Sequence, residues 1–201
     1  MHKGTLAIAA AAALVLGGLA AGGCESPAPK SETYTSEVEG FALTFPSDWT
    51  KSTSGRGMNL EIMPPDMTDP GVFRDDIIVR VEGLAEVMPL EDFAAVKIDK
   101  VAKNVPGYKE ITKDAVKVGG QDVRRLIFSY TNPNYDASVT SLTYFLVSGK
   151  RGYTVTANAA TERFPARKAQ FEEILGTFKL LGATSAFPST APAAAPAAGG
   201  K

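Results

Sequence analysis

Histidine is all but missing from this 201-residue chain: the one copy is His2, inside a leader-like N-terminus. Its absence from the rest excludes Ser-His-Asp and Cys-His catalysis there, since histidine is the side chain whose ordinary pKa suits proton transfer near neutrality. Cysteine occurs once, at Cys24, so the chain forms no internal disulfide and assembles no His/Cys zinc site. A hydrophobic core must hold the fold by itself. No phosphate-cradling G-x-x-x-x-G-K loop and no G-x-S-x-G elbow occurs. Charge is nearly balanced, 21 basic against 22 acidic residues, which argues against nucleic acid as a partner. Paired carboxylates are the acid–base chemistry left over, and no acidic pair is marked out by its context. No catalytic residue, metal ligand or cofactor is therefore expected.

What is present begins with the leader. Met1-His2-Lys3 gives a positive start, and the alanine-rich apolar run Leu6 to Leu19 follows. Residues 1–23 read as a signal peptide; the run is short of the roughly 20 apolar residues a membrane span needs. Cys24 stands directly after Ala20-Ala21-Gly22-Gly23, which resembles a bacterial lipobox, with Ala21 where leucine is usual. On this reading Cys24 is acylated and becomes the mature N-terminus. The alternative is an ordinary signal peptide with an incidental thiol. The lipoprotein reading is preferred because an unpaired cysteine in an exported chain asks for a reason. Residues 24–32, polar with two prolines, then form a tether, and residues 33–181 one domain with a sizeable core. Residues 182–201, alanine and proline with almost no charge, are expected to be disordered. The protein is thus expected to be exported and lipid-anchored, facing the periplasm or cell exterior.

Within the domain, Phe41, Leu43 and Phe45 alternate with Ala42 and Thr44, the pattern of a half-buried strand. Gly40 turns the chain from a first strand over Tyr34–Val38, and Pro46 ends the second. Trp49, the only tryptophan, is expected to plug the core; the alternative is an exposed aromatic contact. Strands follow over Met58–Met63 and Asp75–Glu82. Pro89–Val105 is a helix with Leu90, Phe93, Ala94, Ile98, Val101, Ala102 and Val105 on one stripe, stopped by Pro106-Gly107. Two hairpins come next, Tyr108–Val118 with Asp122–Thr131 and Ala137–Ser148 with Tyr153–Asn158. A second helix, Pro165–Gly176, turns Phe171, Ile174 and Leu175 inward, and Thr177–Leu180 closes the domain. Hairpin order gives an antiparallel sheet. Neighbours such as Tyr144 and Phe145 are apolar on both faces, so the two helices are expected to cover them. The fold class is α+β, a single-domain sandwich.

The stretch from Gly40 to Trp49, G-F-x-L-x-F-P-x-x-W, resembles the PsbP-like family, including the DcrB-like bacterial lipoproteins, and the element order from Tyr34 to Leu181 agrees. The resemblance implies the same α+β sandwich. It also implies a non-catalytic role: PsbP-like proteins attach to membrane complexes, and DcrB-like lipoproteins serve envelope functions including phage uptake. Calcium or other metals are associated with the photosynthetic branch, but no metal residue carries over. The expected function is a membrane-anchored binding or assembly module with a protein partner in the envelope. The alternative is a hydrolase or small-ligand carrier using a pocket between sheet and helix.

Three clusters could carry contacts. Asn132-Pro133-Asn134-Tyr135-Asp136 reads as a hairpin tip, and turn chemistry explains all of it except Tyr135, so Tyr135 and Asn134 are candidate partner contacts. Asp66, Asp69, Asp75 and Asp76 could offer oxygen ligands to a hard cation, although aspartates in a solvated turn are the preferred explanation. Arg163, Arg167 and Lys168 are expected on the solvent face of the last helix.

Overall fold

Strand alternation decides the architecture, because each strand must bury one or both of its faces. The computed structural model describes residues 30–55, 57–66 and 71–182. The leader, Cys24, Asp69 and the Ala/Pro-rich segment from 183 onward lie outside the described residues.

The chain runs β1 (Ser31–Ser36), β2 (Phe41–Pro46), β3 (Thr50–Ser52), β4 (Leu60–Met63), β5 (Asp76–Gly83), α1 (Leu90–Asn104), β6 (Lys109–Val118), β7 (Gln121–Asn132), β8 (Ala137–Ser148), β9 (Arg151–Ala160), α2 (Phe164–Gly176) and β10 (Lys179–Leu180). All pairings are antiparallel. The α+β class holds, but with two sheets where one was expected. A small sheet has the order β1-β2-β10, and a large one β3-β4-β5-β9-β8-β7-β6. The first strand ends at Ser36, earlier than Val38, because Glu37–Gly40 form the turn. Gly40 sits at φ 72°, the left-handed region that glycine enters freely, and its N–H donates to Ser36 O at 2.8 Å.

The covering of the large sheet also departs from expectation. One face packs against the small sheet and α2 together, not against a helix alone. Phe41, Leu43 and Phe45 of β2 join Ile77, Val79, Val155 and Leu142 of the large sheet and Phe171, Ile174 and Leu175 of α2 in one buried cluster. Trp49 belongs to it, buried as the core reading expects. Thr177 links the layers: Thr44 N–H donates to its hydroxyl at 2.9 Å, while that hydroxyl lies 2.7 Å from Ile174 O and 3.0 Å from Thr44 O.

The other face belongs to α1. Phe93 and Ala94 meet Leu126, Phe128 and Phe145 of β7 and β8 in a second cluster. Of the apolar stripe only Phe93 and Ala94 are buried, and Ala102 is exposed. The helix lies over β7 and β8, so the β5–β9 half of this face is left to line a cleft.

Candidate functional site

The cleft between α1 and the large sheet has a volume of about 670 Å³. Antiparallel register brings its polar floor together from distant parts of the chain. Asp76 of β5 pairs with Asn158 of β9, which pairs with Ser141 of β8. Two residues along each strand, Ile78, Thr156 and Thr143 align in the same way. Alternation aims all six at the α1 side. Ser141 Oγ donates to Asn158 Oδ1 at 2.6 Å, and Asn158 Nδ2 donates to Asp76 Oδ1 at 2.7 Å. The Thr143 and Thr156 hydroxyls lie 3.1 Å apart. Leu126, Phe128 and Phe145 give the cleft an apolar wall, and Tyr130, Asn132 and Phe73 close its Asp76 end.

Burial dominates the electrostatics of Asp76. It pushes the carboxyl up to about 7, with Glu61 and Asp75 adding to the rise and the Asn158 hydrogen bond and Arg80 opposing it. Tyr130 is raised as well, by burial first and then by the charge of Asp76. On the rim, Lys97 of α1 pairs with Glu82 of β5, and its ammonium lies 5.4 Å from the Phe93 ring centre. Arg80 and Lys100 also line the cleft and form no ion pair among the described residues. Ser141 donates to an amide and not to a base, so the floor holds no activated nucleophile of the kind that covalent catalysis requires.

Arg163, at the N-cap of α2, and Arg167, in its first turns, overturn their sequence reading. Arg163 and Arg167 do not decorate a solvent face; they close over Asp75, which is fully buried. Arg163 Nη2 donates to Asp75 Oδ1 at 2.8 Å and to Phe73 O at 2.7 Å, and Ala160 N–H donates to Asp75 Oδ1 at 3.3 Å. Arg167 bridges Asp75 Oδ2 at 3.3 Å and Asp66 Oδ2 at 2.6 Å. A buried carboxylate requires such partners, and the helix was the nearest source. Lys168 does stay at the surface, paired with Glu172 at 2.8 Å. The aspartates once grouped in one loop thus separate: Asp66 and Asp75 serve the arginines, and Asp76 faces the cleft. Among the described residues no three carboxylates converge on a cation site.

Tyr135 stands at the β7–β8 tip, 41% exposed, its ring edge-on to Phe73 at 5.8 Å and 87°. Asn134 N–H donates to Asn132 Oδ1 at 3.0 Å, and Asp136 takes φ 47° to complete the turn. The tip therefore sits beside the Asp76 end of the cleft, where Phe73 and Asn132 are shared. Sequence reading missed the Asp76–Asn158–Ser141 chain. Its trace was the run of Thr154, Thr156 and Asn158 on one strand face, polar groups where a covered face should be apolar.

The sequence model described as PsbP matches residues 29–180. No curated protein matches the chain. Among solved structures, cyanobacterial PsbP (CyanoP) from Synechocystis sp. PCC 6803 is 13% identical, with a TM-score of 0.54 over 82% of this chain and 98% of that one. LpqN of Mycobacterium tuberculosis, described as involved in cell envelope biogenesis, is 15% identical with a TM-score of 0.55, covering 78% of this chain and 87% of its own. The Ran-binding protein Mog1p of Saccharomyces cerevisiae is 10% identical with a TM-score of 0.51, covering 77% and 97%. At these identities the likeness is one of fold.

Proposed function

The chain belongs to the PsbP family, and on that premise we propose that it is a lipid-anchored, non-catalytic module of the cell envelope that binds or helps assemble a membrane protein complex. The observation that carries this reading is Tyr135, an exposed aromatic held on a buried one at a tight hairpin tip. Exposed aromatics on a rigid platform are the typical anchors of a protein interface. The envelope role described for LpqN points the same way.

Strand register supports a membrane-facing orientation for that tip. Ser31 pairs with Pro46, which leads through three residues to Thr50, and Thr50 pairs with Met63. Ile62 pairs with Ile77, next to Asp76, and Asp76 leads across β9 and β8 to Phe128 near the Tyr135 tip. The chain therefore enters the domain at the end that carries Tyr135. From an acylated Cys24, the segment to Lys30 reaches at most about 20 Å, which would hold this end near the bilayer. One acyl chain binds weakly; several make attachment effectively permanent. Hydrolysis, the other class, is disfavoured because the cleft offers Asp76 as its one carboxylate outside an ion pair among the described residues.

Fractionation, N-terminal mass spectrometry and in-cell crosslinking test the proposal. Wild-type chain should be membrane-bound with an acylated Cys24, and Cys24→Ala should lose lipidation. Tyr135→Ala should stay anchored and keep its melting temperature, yet lose its crosslinked membrane partner. An unmodified N-terminus at another residue, or a crosslinking pattern indifferent to Tyr135, would defeat it.

A further inference from the structure

We propose that the cleft between α1 and the large sheet binds a small, acidic, hydroxyl-rich molecule of the uronic acid class. The inference goes beyond the envelope-module reading and is independent of Cys24 and Tyr135.

Space comes first: about 670 Å³ lies within the range of small-molecule sites. Charge comes next. Lys97 and Glu82 neutralise each other on the rim. Arg80 on the sheet side and Lys100 on the helix side are left without an ion pair among the described residues, a setting for one ligand carboxylate. A cationic ligand would meet the same two charges unfavourably. The floor supplies the rest of the recognition. Ser141, Thr143, Thr156 and Asn158 bond to one another, yet each hydroxyl or carbonyl oxygen so used keeps further acceptor capacity for ligand hydroxyls. An anion without hydroxyls would leave those acceptor lone pairs without a donor. Phe128 and Tyr130, stacked at 5.8 Å, offer apolar surface to the C–H face of a sugar ring.

Binding is coupled to a proton. Asp76 is faced by Asn158 from β9, by Glu61 from β4, by Tyr130 from β7 and by Arg80 and Asp75 from its own segment, while Lys97, Lys100 and Asn104 line the cleft from α1. A ligand carboxylate adds a negative charge, so the complex favours protonated Asp76. With the free carboxyl near 7, a site that binds only when Asp76 is protonated loses about tenfold in apparent affinity between pH 6 and pH 8.

The experiment is calorimetric or NMR titration of the purified full chain with glucuronate, glucose and cyclohexanecarboxylate at pH 6, 7 and 8. Glucuronate should bind more tightly than either control, and about tenfold more weakly at pH 8 than at pH 6. Asp76→Asn should keep the pH 6 affinity and flatten the pH dependence. Arg80→Gln and Lys100→Gln should each weaken glucuronate binding severalfold with unchanged melting temperatures. Equal binding of glucose and glucuronate, no saturable glucuronate binding at pH 6, or affinity that rises with pH would overturn the proposal.

Discussion

Trp49 and Asp75 are both buried, and losing either hurts for a different reason. Trp49 fills space between the two sheets, so Trp49→Ala leaves a cavity and should cost about 3–5 kcal/mol in urea unfolding. Asp75 is a charge that Arg163, Arg167 and Ala160 N–H satisfy together. Asp75→Ala strands those donors and should cost about 3 kcal/mol or more. Arg163→Ala should cost less, because Arg167 still reaches Asp75. Asp76 gives the opposite sign. Its carboxyl is raised from 3.8 to about 7 in the fold, so the folded state holds the proton more tightly than the unfolded one. Its favourable contribution is complete below about pH 4 and is lost as pH rises to about 7. Asp76→Asn keeps an acceptor for Asn158 and should therefore stabilise the protein at pH 8, by at most a few kcal/mol at about 1.4 kcal/mol per pKa unit, with little gain at pH 4. Melting curves of both proteins across that range check it.

At the scale of elements, α1 is seated by one close approach. A Cβ on Gly152 would lie 2.2 Å from Cε2 of Phe93, so glycine is required where the helix meets β9. Gly152→Ala should destabilise by about 1–3 kcal/mol, and Phe93→Leu should recover part of that loss, a coupling that a double-mutant cycle measures. α1 itself was legible: Pro89, the 3–4 spacing of its apolar residues and Pro106-Gly107 bound it within one residue at each end. Both hairpins after it were legible as well, because turn glycines and two-residue alternation are local signals. The short strands β3 and β10 were not. Thr50–Ser52 carries no apolar alternation, and Lys179–Leu180 is a strand only because β2 accepts it.

For the whole molecule, the stability of the described domain rests on two apolar clusters and one buried ion network. Asp66 and Asp75 are engaged by arginines, so unfolding curves in excess chelator and in millimolar calcium should superimpose; a calcium-dependent rise in midpoint would reveal a site. The division of labour also reads at this scale. α2 and the small sheet build the filled side of the sandwich, and α1, covering only part of its face, leaves the side that can receive a ligand.

The sequence alone determined the α+β class, nearly every long element and the family, since periodicity, turn residues and the Gly40-to-Trp49 pattern are written within a few neighbouring positions. It favoured a core position for Trp49 over an exposed contact, and the assembled layers decided it by burying the ring in the cluster between sheets and helix. The tertiary structure decided what depends on which strands become neighbours. It split the hairpins into two sheets and carried Arg163 and Arg167 back across some ninety residues of chain to Asp75. It also set Asp76, Asn158 and Ser141 side by side. Adjacent aspartates met opposite fates, one neutralised by two arginines and the other held near neutrality in a cleft. The physical reason is the pleat: one step along a strand exchanges one side of the sheet for the other, and only the assembled layers fix what waits on each side.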